Sequence, residues 1–155
     1  MSLGENNLAI TYEKLGRHES VLRLRLDIYS GFSKLSGEED LRTLQAALNY
    51  ANSVFGLKRF KEAKSLMRKT MPVARRVLGE SHEITLWMRM VCAMAIYRDA
   101  GATLDDLREA VTTLEDTDRI ARRVLGGAHP TTAEIERALR NARAVLSARE
   151  TPGPV

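Results

Sequence analysis

The sequence predicts an all-helical solenoid of stacked helix hairpins, and three observations carry that prediction. Two stretches nearly repeat one another: "ARRVLGESH" from Ala74 to His82, and "ARRVLGGAHP" from Ala121 to Pro130. Sliding the chain along itself by 42 residues superposes Gly37 on Gly79, Ala9 on Ala51 and Ala93, Asn7 on Asn49, Arg17 on Arg59, and Leu44 on Leu86. A fixed period of this kind marks an array in which each unit is one supersecondary element. Aromatic residues are only 5% of the chain, Pro and Gly number 4 and 10, and apolar residues recur every three to four positions, which favours helices over strands.

The first unit, residues 1–38, is expected to hold a short helix over Leu3–Leu15, a glycine turn at "LGR" (Leu15 to Arg17), and a second helix over Glu19–Leu35. In the second unit, 39–80, one apolar stripe runs through Leu41, Leu44, Leu48, Ala51 and Phe55. After "GLKR" another runs through Phe60, Ala63, Met67, Met71, Ala74 and Leu78. Pro72 falls inside that second helix, where loss of an N–H and a clash with the preceding turn predict a kink. The third unit, 81–128, gives helices near His82–Ala100 and Leu104–Leu125; its five extra residues fall in "DAGATLDDLREA", read as a longer loop. A seventh helix over Thr131–Arg149, with Ile135, Leu139, Ala142 and Leu146 on one face, caps the stack within 129–149, and 150–155 form a flexible tail. The whole of 1–149 is one domain.

These segments resemble a known family. "NNLAITYEKLGRHESV", "YANSVFGLKRFKEAKSL" and "RRVLGGAHPTTAEI" are similar to tetratricopeptide repeats, specifically the 42-residue type of kinesin light chains. The resemblance covers Asn6 to about Leu146. The chain departs from it where Lys58 replaces the turn glycine of unit two, and where "NLA" becomes "NYA" at Asn49–Ala51 and "VCA" at Val91–Ala93. It implies a right-handed superhelix whose concave groove is lined by the first helix of each unit and holds an extended peptide. It also implies a noncatalytic, protein-binding scaffold.

With Ala51 taken as the small packing residue, the inward positions are Asn7, Ile10 and Lys14 in unit one, and Gln45, Asn49, Asn52 and Phe55 in unit two. In unit three they are Trp87, Met90, Val91, Met94 and Arg98. An asparagine amide donates and accepts at once, so Asn7 and Asn49 suit either a backbone clamp on a peptide or a bridge between adjacent helices. Trp87, Met90 and Met94 suit either an adaptable apolar pocket or the core. Lys14, Arg89 and Arg98 would favour acidic ligands. The paired Arg75 with Arg76 and Arg122 with Arg123 belong to second helices, on a solvated face or bridging to acidic neighbours.

Catalytic, metal and cofactor readings find no support in the sequence. The histidines are His18, His82 and His129, and the last two stand just before first helices, where an imidazole bonds a turn. Cys92, the one cysteine, lies within the apolar run "VCAMAI", and no calcium loop or phosphate-binding glycine loop occurs. The longest apolar runs fall far short of the roughly 18 residues that span a bilayer, so a soluble, cytoplasmic protein is expected. The net charge of +4 and pI near 9.5 keep nucleic-acid binding as an alternative, disfavoured because the inward columns do not repeat a base-reading code. Self-association through the N-terminal end of the stack is a third reading.

Overall fold

The computed structural model describes residues 3–151, with side chains for Lys14 and for residues 16–151. Among the described residues there are six helices and no strand: α1 (Leu3–Ser36), α2 (Leu41–Gly56), α3 (Phe60–Leu78), α4 (Glu83–Arg98), α5 (Leu104–Leu125) and α6 (Pro130–Glu150). Each packs on the next, and α4 also packs on both α2 and α6. The solenoid therefore has an inner row of α2, α4 and α6, whose backbones approach one another, and an outer row of α1, α3 and α5, spaced more widely and bridged between α3 and α5 by the Arg68–Glu109 ion pair.

Local chemistry sets the ends of these helices. The inner helices all start on a side chain that accepts a backbone N–H two residues on: Asp40 from Arg42 at 2.8 Å, His82 Nδ1 from Ile84 at 3.1 Å, and His129 Nδ1 from Thr131 at 3.1 Å. Such caps satisfy donors that a helix leaves unpaired. Both histidines thus do the turn-bonding work expected of them. α5 begins with a reciprocal capping box, Thr103 with Asp106. The outer helices end at Gly37, Gly79 and Gly126, with φ of 84°, 93° and 89°, a conformation that costs other residues a clash with their Cβ.

The small residues pack as the repeat implies. Ala51, Ala63, Ala74, Ala110 and Ala121 are all fully buried, and Ala93 nearly so, allowing backbones to approach closely around Leu44, Met67, Leu86, Met88, Leu114 and Ile135. α3 passes through Pro72 without ending. The extra residues of unit three are only partly loop, since α5 has 22 residues where α3 has 19. At the hairpin ends Leu78 and Leu125 pack on the core, while Val77 and Val124 remain 41% and 45% exposed. Arg75 pairs with Glu80 at 2.6 Å, Arg76 with Glu39 at 2.6 Å, and Arg122 with Asp118 and Glu136 at 3.0 and 3.1 Å. These bridges to acidic neighbours are surface pairs, each worth little alone.

One expected element is absent. The anticipated turn at "LGR" does not form, and α1 is a single helix of 34 residues, so six helices stand where seven were predicted. Gly16 is helical, and the Ser20 hydroxyl donates to its carbonyl at 3.0 Å. A helical glycine costs about 1 kcal/mol relative to alanine, too little to break a helix without a competing partner. The 42-residue offset shows why folding back offers a poor one. Where α2 presents Leu44, Ala47 and Leu48 to the core, the first unit has Ser2, Glu5 and Asn6.

Candidate ligand-binding groove

A cleft of about 750 Å³ opens where α1, α2 and α4 meet. Ile28 and Phe32 of α1 form one wall, Leu41, Leu48 and Ile84 contribute apolar surface, and Trp87 stands opposite. Polar groups converge above this floor. Gln45 donates its amide to Asn49 Oδ1 at 3.2 Å, which uses one of several hydrogen-bonding sites on each side chain. Asn52 lines the same cleft from the next turn of α2. At its other end Arg42 lies over the Phe32 ring, 5.3 Å from the centroid, and bonds Asp40 at 3.1 Å. That hydrogen bond holds the Asp40 carboxyl below the usual aspartate range.

The structure gathers four of the sequence-selected residues here, Gln45, Asn49, Asn52 and Trp87. It distributes the others. Met90 and Val91 are both 3% exposed and belong to the core, and Met94 is half-buried against it. Phe55 and Arg98 meet each other at the hairpin end: the Phe55 and Phe60 rings sit edge to face at 5.2 Å, and the Arg98 guanidinium lies 5.6 Å from each centroid. Lys14 is exposed on α1, and the side chains of Asn7 and Ile10 lie outside those described. Arg89 is 7% exposed and bonds Asp116 on α5 at 2.5 Å, so it crosses between helices rather than reaching the cleft.

Sequence reasoning missed the α1 wall of Ile28 and Phe32 because it assigned a separate first helix to that place. It also missed Arg42, whose signal was its position in the first turn of an inner helix. The repeat itself separates packing from accessible positions on the inner row. Gln45, Trp87 and Glu134 share one column and Asn52, Met94 and Asn141 another, and all six are exposed or half-buried. The packing columns, such as Leu44 with Leu86 or Ala51 with Ala93, are sealed.

Burial pushes the Cys92 thiol up, away from the reactive thiolate. Among the described residues no group of His, Cys, Asp and Glu is placed to hold a metal, and no helix is long and apolar enough to cross a membrane.

Residues 43–83 match the family model of the tetratricopeptide repeat. That span is similar to a tetratricopeptide repeat. The matched span takes in nearly all of α2, the whole of α3 and the turn into α4, which is one hairpin with its junction to the next. No curated protein matches the chain. Tetratricopeptide repeats mediate contacts between proteins and are typically noncatalytic, and the helical rows on either side extend the matched hairpin into a solenoid.

Proposed function

We propose that this tetratricopeptide-repeat protein is a noncatalytic scaffold that holds an extended segment of a partner protein across the two accessible columns of its inner row. The observation that carries this reading is the persistence of Gln45, Trp87 and Glu134, with Asn52, Met94 and Asn141, as accessible side chains while packing columns such as Leu44 with Leu86 are buried. Amides bond a peptide backbone whatever its sequence, and the Trp87 and Met94 surfaces accept an apolar anchor. The 42-residue period and "LGGAHP" support a kinesin-light-chain-like subtype, and the single cysteine fits a reducing, cytoplasmic setting.

Nucleic acid is the weaker reading. Many of the arginines behind the high pI are paired with carboxylates, as in Arg59 with Glu19 at 2.9 Å and Arg68 with Glu109 at 3.0 Å. Trp87 is the only tryptophan, so its emission reports directly on this surface. Peptides selected from a random library on the immobilised protein should share an apolar anchor and shift Trp87 emission. A Gln45→Ala, Met94→Glu variant should bind them at least about tenfold more weakly. Equal binding by that variant, with folded circular dichroism, would overturn the assignment.

A further inference from the structure

The face of α1 toward the cleft is sealed in the other outer helices. Ala63, Met67, Thr70 and Ala74 of α3 are at most 2% exposed, and their counterparts Ala110, Leu114, Thr117 and Ala121 of α5 are fully buried. The same column of α1 reads Val21, Arg25, Ile28 and Phe32; Val21 and Ile28 are 43% and 44% exposed, and Arg25 and Phe32 are half-buried.

The facing wall on α2 shows the same deficit. Ile84, Val91 and Ala95 of α4, and Thr131, Ala138 and Ala142 of α6, are buried under the inner helix that precedes each. Their α2 counterparts Arg42, Asn49 and Ser53 are exposed or half-buried. A second opening of about 340 Å³, lined by Val21, Arg25, Asn52 and Ser53, continues the cleft along these walls. Both surfaces are shaped for one more inner helix.

The straight α1 cannot supply that helix to itself, because residues 3–15 run on through Gly16 in one rod of roughly 51 Å, and a turn there would give up helix hydrogen bonds that a second copy's unbroken helix keeps when it docks. We infer that the opening receives residues 3–15 of a second copy of this chain, in a reciprocal dimer whose two α1 helices pack antiparallel and cross near Gly16.

Three features fit this occupant. The segment keeps Asn7 and Ala9 in the columns of Asn49 and Ala51, and Leu8, Ala9, Tyr12 and Leu15 recur at helical spacing. Where unit two has Ala47 and Met67, both fully buried, unit one has Glu5 and Arg25, a pair of opposite charge. Arg25 is held at this wall by bonds to the Asn49 carbonyl at 3.0 Å and the Ser53 hydroxyl at 2.7 Å. A glycine at the crossing lets two backbones approach closely. An isologous pair uses the same patch twice, so one pairing scheme fills both openings.

Charge reversal tests this directly by sedimentation equilibrium of the full chain. Wild type should dimerise reversibly. Glu5→Arg and Arg25→Glu should each weaken the dimer at least about tenfold. Their equimolar mixture should restore it, because only in the mixed dimer does position 5 of each chain again face the opposite charge at position 25 of the other. Ile28→Glu, at an exposed position, should weaken the dimer without loss of helicity and serves if a charge variant misfolds. A wild type that stays monomeric up to millimolar concentration would overturn the inference. So would a mixture no tighter than its components, the result expected if residues 3–15 fold back within one chain or a different partner covers the wall. A dimer insensitive to all three substitutions places the contact elsewhere and also overturns it. Peptide binding read at Trp87 is a separate outcome, so failure of the dimer leaves the groove reading independently testable.

Discussion

Gly16 and Lys58 hold the same place in the repeat, 42 residues apart, yet the chain turns at the lysine and runs straight through the glycine. Lys58 takes φ of 63°, where a side chain costs roughly 1–2 kcal/mol, whereas Gly16 would enter that region freely. Local preference alone would reverse the outcome. What differs is the reward for turning. α2 brings Leu44, Ala47, Leu48, Ala51 and Val54 to the core when it pairs with α3, while the corresponding first-unit positions include Ser2, Glu5 and Asn6. Burying several apolar side chains at about 1.5–3 kcal/mol each outweighs one strained residue.

The largest effect expected from this contrast lies in the outer-helix columns. Met67→Ala should cost about 2–5 kcal/mol in chemical denaturation, because Met67 is fully buried. Val21→Ala on the open face of α1 should cost less than about 1 kcal/mol. Equal losses at the two positions would mean that the first unit is packed like the second.

Next in size is the contact between α4 and α5. The Arg89 hydrogen bond holds the Asp116 carboxyl below its ordinary range, with a smaller opposing effect of burial. Its lowered folded value means that this contribution is present above the unfolded aspartate value of 3.8 and is lost as pH falls through the folded one. Asp116→Ala should therefore destabilise the protein by about 1–2 kcal/mol at neutral pH, discounted for the 40% exposure of Asp116. The gap to wild type should narrow in acid, as measured by urea denaturation from pH 7 to pH 3. A gap that widens in acid would contradict the pairing.

The smallest shift concerns the turn itself. Lys58→Gly should stabilise by up to about 1 kcal/mol, because relief of left-handed strain is partly offset by glycine's greater freedom when unfolded. A loss of stability would show that the lysine side chain contributes something beyond its backbone.

Much of this was legible in the sequence because the repeat compares the chain with itself. Period, hairpin order, alanine packing and the turn roles of His82 and His129 follow from residues recurring in register. The first unit was misread because "LGR" contains the right turn residue, and the missing apolar partners at Ser2, Glu5 and Asn6 lie in a different part of the pattern. The inward face of α4 was only partly separable. Trp87 and Met94 stay accessible, while Met90 is taken into the core by contacts on either side of α4, which spacing along one helix does not reveal.

The most direct measurement is the backbone Cα and carbonyl chemical shifts of Leu15 to His18 beside those of Leu57 to Arg59. Helical shifts continuous through Gly16, with a left-handed signature at Lys58, are the predicted result. A break at Gly16 matching that at Lys58 would contradict the claim that packing, and not the residue at the turn, decides where this chain folds back.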